Sequence, residues 1–487
     1  MVTSPIPSNL DNFIDGRFIG PHSGTYLAKL SPHDNRTLWN FANSSVDDVT
    51  RATDSALRAQ EVWSNTPGVE RGRILFEFAS VLEAHKAQLA STVASETGKT
   101  YQEAEGETLG AVSLARFFAG EGQRLYGRTT QSGVAGRLPI TIRQPVGVAG
   151  LIVPANTPIA NIAWKVFPAL ICGNSVVLKS ADHSPAVAWL FSDLAARAGL
   201  PPGVLNVVHG SGLEAGRAVV AEPRIGVISF TGSTTVGKEI AEVCGRLLKR
   251  VSLELGGKNP FVVCDDADLE NAVHWSSLSA FSNAGQRCAA GSRLIVQSRI
   301  FDEFVEKFVS RTAALRLGVT NADLGPMITR SARDKAVRAI QEAQAEGAEL
   351  LVGGTIPLSA DLKEGNYLSP TALYLETGSR ASILEAELFG PVVTIQKVQT
   401  YDQALELASS SRYGLTAAIH TRDFDRALHF VNKIPTGVAS VNGGTFGSEP
   451  HMPFGGRGWS GNGTREPGTE ALDIYSELKV IYMNFVK

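Results

Sequence analysis

At 487 residues the chain is too long for one simple core and predicts two or three domains. Hydrophobic residues at 43% and charged residues at 19% describe an ordinary soluble globular protein, and 45 basic against 48 acidic residues leave a net charge of -3. That balance carries no electrostatic footprint for nucleic acid or an anionic membrane.

The opening residues, 1–8, lack the basic-then-apolar order of a signal peptide, and no apolar run approaches the length of a membrane span. Residues 12–18 read as a small hairpin turned at Asp15-Gly16. Over 46–63 apolar residues recur at helical spacing behind Ser45 as N-cap, with Asp48 three positions on. A second long helix is expected from about 69 to about 95, ending near Gly98, and a third over 103–118. Then the composition changes: 133–143 is Gly-rich and passes into the alternating Leu138, Ile140 and Ile142, an extended excursion.

From Val146 short β-branched runs at 148–153, 175–178, 204–208 and 226–230 alternate with helical stretches such as 186–198. This predicts a doubly wound parallel sheet, whose ligands sit beyond the carboxyl ends of the strands, so the nucleotide domain is expected here. Beyond Pro260 the alternation repeats, with strands at 261–264, 294–297, 392–398, 417–420 and 439–442 and helices near 301–317, 331–346, 401–410 and 423–433. The stretch 473–485 mixes β-formers with charges and reads as an edge strand, which invites pairing with another chain.

Four cysteines, Cys172, Cys244, Cys264 and Cys288, are widely spaced, with no Cys-x-x-Cys pair and no clustered histidines. Neither a disulfide framework nor a metal site is expected, and a reducing, cytoplasmic setting fits. Cys288 lies among small residues in Gly285-Gln286-Arg287-Cys288-Ala289-Ala290-Gly291, the local character of an accessible thiol. Taken alone, a lone cysteine is more often inert packing. Upstream, Glu254 interrupts the apolar, strand-like run at 251–255. A carboxylate there is paired, edge-exposed or kept for chemistry, since desolvation raises its pKa toward that of a general base.

Glu-Leu-Gly-Gly-Lys-Asn-Pro at 254–260, Gly-Gln-Arg-Cys at 285–288, Phe-Thr-Gly-Ser-Thr at 230–234 and Pro-Phe-Gly-Gly at 453–456, in this order, resemble the aldehyde dehydrogenase superfamily over essentially the whole chain. The resemblance implies an α/β fold of two doubly wound domains: a Rossmann-like cofactor domain (1–124 and 146–255) and a catalytic domain (256–466). A small β extension (125–145 and 467–487) would serve a homodimer or homotetramer.

It also implies roles. Cys288 would be the nucleophile, Glu254 the general base of a hydrolytic rather than coenzyme A acylating reaction, and the Asn156 amide, with the Cys288 N–H, the oxyanion hole. Read without the family, Asn156 is turn chemistry in Pro154-Ala155-Asn156-Thr157-Pro158, and Gly232-Ser233 is an ordinary strand-to-helix turn. With it, Gly232 and Ser233 face the pyrophosphate, Lys179 and Asp182 the adenosine ribose, and Glu387 the ribose beside the nicotinamide, against which Phe389 packs. Asp182 favours NAD, though an acid shorter than the family's more common Glu leaves NADP use open. Thr157, Asn161, Trp164, Ser282, Arg287 and Phe446 would surround the aldehyde. Non-aromatic Thr157 and Ser282 imply a roomier, more polar tunnel, suited to hydroxylated or carboxylated semialdehydes, with Arg287 either pairing a substrate carboxylate or pointing into structure. The 450–454 loop resembles that of members using aromatic aldehydes. Two other classes compete: a cofactor-independent thiol hydrolase, which needs a histidine partner that none of the nine histidines supplies by motif, and a non-catalytic relative, which should have lost Cys288 or Glu254.

Overall fold

The computed structural model describes residues 5–485. One seven-stranded sheet runs, edge to edge, Arg250–Glu254, Ile225–Thr231, Val148–Ile152, Ser175–Lys179, Leu205–Val208, Asn12–Ile14 and Arg17–Ile19. Its first five strands are parallel, and the Asp15-Gly16 hairpin joins antiparallel at the far edge. Val148–Ile152 and Ser175–Lys179 are buried along their whole length, as a parallel sheet covered on both faces requires. The chain moves outward from Val148–Ile152 through the next two parallel strands, then returns to lay Ile225–Thr231 on its other side. That reversal opens a crevice at the carboxyl ends of Val148–Ile152 and Ile225–Thr231.

A second seven-stranded sheet runs Glu349–Val352, Thr371–Tyr374, Val392–Val398, Gly291–Gln297, Asn259–Val263, Thr416–His420 and Val438–Val441, parallel except at the Glu349–Val352 edge. The strands Glu349–Val352, Thr371–Tyr374, Tyr26–Leu30 and Thr37–Ala42 were not foreseen; three of the four are largely half-exposed, without a clean two-residue alternation.

Helix Val46–Asn65 starts as expected, the Ser45 N–H donating to Asp48 Oδ2 at 2.9 Å. The expected helix over 69–95 is two helices, Gly68–Ala84 and Lys86–Thr97. At His85 the backbone leaves helical geometry (φ -108°, ψ 16°), and the ring Nδ1–H donates to the Val81 carbonyl at 2.8 Å. The buried face continues across the break, from Phe78 and Leu82 to Leu89 and Val93, so periodicity alone conceals it. Helix Tyr101–Glu121 opens with a Thr100/Glu103 capping box.

Strands Arg137–Pro145 and Ser476–Asn484 form a separate antiparallel ribbon that exposes Leu478, Val480 and Tyr482. Just before it, helix Ala471–Tyr475 buries Leu472, Ile474 and Tyr475 in the core of the first sheet. Among the described residues no helix is long and apolar enough to cross a membrane, and no group of His, Cys, Asp or Glu could hold a metal ion.

Candidate active site

A cavity of about 940 Å³ lies where segments leaving the first sheet at Pro154, Thr231 and Glu254 meet segments entering the second at Gly291 and Val392. Cys288, Glu254 and Asn156 all border it. So do Gly232, Ser233, Glu387 and Phe389 of the residues expected at the cofactor, and Thr157, Asn161, Trp164, Arg287 and Phe446 of those expected at the substrate. Ser282, Lys179 and Asp182 do not border it.

The turn before Cys288 is strained and heavily tied. Asn283, Ala284 and Gly285 are successive left-handed residues (φ 54°, 52° and 68°), a conformation that persists where its surroundings over-determine it. Asn283 Nδ2 donates to the carbonyls of Asn156 and Gln286, both at 3.1 Å, and Gln286 Oε1 accepts the Ile328 N–H at 2.9 Å. Asn259 Nδ2 donates to the Cys288 carbonyl at 2.8 Å and to that of Ala290 at 2.9 Å. A Cβ on Gly285 would sit 2.1 Å from the Gly390 carbonyl oxygen. Gly285→Ala is therefore expected to lower stability by about 1–3 kcal/mol, read by thermal unfolding, and to reduce turnover with it. An unchanged melting temperature would show that the turn relaxes freely.

Cys288 is only half-buried, but it is not the open thiol its small neighbours in sequence suggested. It packs with Ala289, Leu415 and Phe454 beside Trp164 and Phe446, and the Trp164 and Phe454 rings meet edge-on at 5.3 Å. Those aromatics come from distant parts of the chain, which is why the local sequence hides them. Burial, then the carboxylates of Glu387 and Glu254, push the thiol up to about 12.

Glu254 is buried, and no side chain hydrogen-bonds either of its carboxylate oxygens. Burial first, then Glu466, raise its pKa well above the usual carboxylate range, against the pull of Lys165, Arg465 and the Gly456 N–H. Lys165 and Glu466 form a fully buried pair at 2.7 Å, bridged by Ser229 Oγ at 2.7 Å from each. This network was missed in the sequence. Its available signal was Lys165, the single charge in the apolar helix Pro158–Ile171, since a buried ammonium needs a partner.

The other predicted residues have definite places. Asn156 Nδ2 donates to the Gln286 carbonyl at 2.9 Å, which ties it to the Cys288 turn and leaves its second N–H for another acceptor. Asn161 Nδ2 donates to Thr157 Oγ1 at 2.6 Å, so part of the polarity expected in the tunnel is satisfied internally. Ser282 lies outside the cavity and accepts from Arg287 Nε at 3.1 Å, with the guanidinium 5.0 Å from the centre of the Phe446 ring. Ser282 thus holds the guanidinium of Arg287, a residue that borders the cavity.

Ser233 caps helix Thr234–Arg246, whose amino end opens on the cavity. Thr231 Oγ1, just before it, is buried without a partner. Glu387 accepts the Gly257 N–H at 3.0 Å, and a Cβ on Gly256 would lie 1.9 Å from its other oxygen, so only glycine permits this approach. Lys179 ends its strand in register with Ile152 and lies 3.7 Å from Asp182. A helix amino end at the switch-point crevice, with a lysine at the carboxyl end of a neighbouring strand, fits a dinucleotide.

A thiol and a buried carboxylate at the switch point of a doubly wound sheet form the arrangement that a nucleotide-dependent enzyme working through a covalent thiol adduct requires. Residues 18–481 match the aldehyde dehydrogenase family, and the chain belongs to it: it is an NAD(P)-dependent aldehyde dehydrogenase. It is 36% identical over 476 residues to the alpha-ketoglutaric semialdehyde dehydrogenase of Bacillus subtilis (97% of each chain). It is equally 36% identical over 489 residues to the mitochondrial benzaldehyde dehydrogenase of Antirrhinum majus (99% of this chain, 90% of that one). The betaine aldehyde dehydrogenase of Staphylococcus aureus, solved in complex with NAD+, superposes with a TM-score of 0.95 at 32% identity, covering 98% of this chain and 95% of that one.

Proposed function

We propose that the enzyme oxidises a carboxylated or hydroxylated semialdehyde to the acid, with Cys288 as nucleophile and Glu254 as general base. The Cys288 thiol passes its proton through water to Glu254, which returns it to solvent, as the sulfur adds to the aldehyde carbon, and the carbonyl oxygen becomes an oxyanion held by the free N–H of Asn156 and the Cys288 N–H. Bound NAD(P) supplies the hydride acceptor. Glu254 then takes a proton from water, whose oxygen attacks the thioester carbon; the C–S bond breaks and the acid leaves. One observation carries this reading: Glu254 borders the same cavity as Cys288, buried and with no side chain hydrogen-bonding its carboxylate.

The carboxylated substrate is supported by Arg287, which borders the cavity and forms no ion pair among the described residues. Trp164, Phe446 and Phe454 around Cys288 favour a second reading, an aromatic aldehyde. Asp182 supports preference for NAD, since its carboxylate would repel a 2′-phosphate. The exposed apolar ribbon face supports assembly as a homodimer or homotetramer, and four free thiols support a reducing, cytoplasmic setting. The division into a cofactor domain, a catalytic domain and a ribbon extension is proposed with the extension narrowed: it is Arg137–Pro145 with Ser476–Asn484, since Ala471–Tyr475 packs in the core of the first sheet.

Reduced-nicotinamide formation, followed by absorbance with NAD or NADP over alkanals, benzaldehydes and carboxylated or hydroxylated semialdehydes, tests this. The semialdehydes are expected to give the highest kcat/KM with NAD, and Arg287→Ala to raise KM for the carboxylated ones alone. Highest kcat/KM on benzaldehydes, unaffected by Arg287→Ala, would establish the aromatic reading instead.

A further inference from the structure

The turn that carries Asn156 is gripped by a buried ion pair that the chemistry above does not use. Lys99 Nζ lies 2.5 Å from Glu107 Oε2, with side-chain exposures of 1% and 5%. Lys99 Nζ also donates to the Asn156 carbonyl at 2.7 Å. The other Glu107 oxygen accepts the N–H groups of Ile159 at 3.0 Å and Ala160 at 3.3 Å, in the first turn of the helix that follows Asn156. One pair thus fixes the turn on both sides of the amide.

The same helix, Tyr101–Glu121, also reaches the Cys288 turn: Glu103 Oε1 accepts the Asn283 N–H at 2.6 Å, and Asn283 Nδ2 donates to the Asn156 carbonyl at 3.1 Å. A buried ion pair is a poor source of net stability, because well-packed apolar groups of similar volume are often neutral or better. What apolar groups lack is the means to hold a carbonyl and two amides at fixed separations. We propose that Lys99 and Glu107 are positioning residues that set the Asn156 amide against the Cys288 turn. This rests on the reading of Asn156 as an oxyanion donor.

The test uses the full-length chain. Its variants are Asn156→Ala, Lys99→Met, and the double variant Lys99→Met with Glu107→Leu, which leaves no buried charge alone and so keeps the fold; the last two are also made in the Asn156→Ala background. Each Lys99 variant is expected to lower kcat by about 10- to 100-fold, the scale of a small misplacement, with KM for aldehyde and Kd for NAD nearly unchanged. Combined with Asn156→Ala, either should add less than about a twofold further loss, because both act through the same amide. A folded double variant with normal kcat would overturn the proposal, as would losses that multiply with Asn156→Ala. A rise in KM instead of a fall in kcat would also overturn it, by making the pair a substrate contact. Normal kcat in Asn156→Ala itself would overturn the oxyanion role, and the positioning role with it, an outcome distinct from the others.

Discussion

Cys288→Ala is expected to abolish aldehyde oxidation, by at least about 10⁴-fold in kcat/KM, while NAD still binds. The alanine keeps Cβ and the turn geometry, so the ties from Asn259 and Asn283 to neighbouring backbone oxygens survive. What is removed is the one atom that can form the covalent bond to the carbonyl carbon. Water held in its place is not equivalent, because the walls formed by Trp164, Phe446 and Phe454 do not solvate a developing charge. Nicotinamide titration followed by fluorescence measures the binding, and reduced-nicotinamide absorbance measures the turnover. Steady-state oxidation at the normal rate in this variant would falsify the covalent mechanism.

Glu254→Gln should leave the first half of the reaction largely intact and block the second. Glutamine matches the shape and cannot take a proton, so removal of the general base is expected to slow deacylation by about 10²- to 10⁴-fold. The signature is a burst of reduced nicotinamide followed by a slow steady state, with an acyl-enzyme visible by intact-protein mass spectrometry. The pH profile gives a second reading. Because the Glu254 pKa is raised, its basic form is scarce below that pKa and grows as pH rises through it, so wild-type deacylation should accelerate with pH over that window. The Gln variant should lack that limb. A variant with no burst and an unaltered profile would move the base elsewhere.

Most of the architecture was legible because parallel strands buried on both faces are short β-branched runs, and those runs fell where the sheets have them. The capped start at Ser45 was equally local, whereas the Thr100 cap, ahead of the expected start at 103, was not read. His85 was not legible, since both helices turn the same apolar face inward. At the site, Cys288 and Glu254 stood out by the chemistry of their immediate neighbours, while the aromatic box and the Lys165–Glu466 pair are assembled from segments up to 301 positions apart. The hydrogen bond from Arg287 to Ser282 was likewise not legible, because side-chain direction is not encoded in spacing.

The strand ending at Glu254 belongs to one sheet, and the strand beginning at Asn259 belongs to the other. Only Leu255, Gly256, Gly257 and Lys258 join them here, and Glu387 latches that bridge through the Gly257 N–H. Asn259 in turn holds the Cys288 carbonyl. The Glu254 carboxylate and the Cys288 sulfur are therefore mounted on opposite sides of a four-residue connection. Any displacement of one sheet against the other would therefore change the separation of the Glu254 carboxylate and the Cys288 sulfur together with the width of the crevice between them.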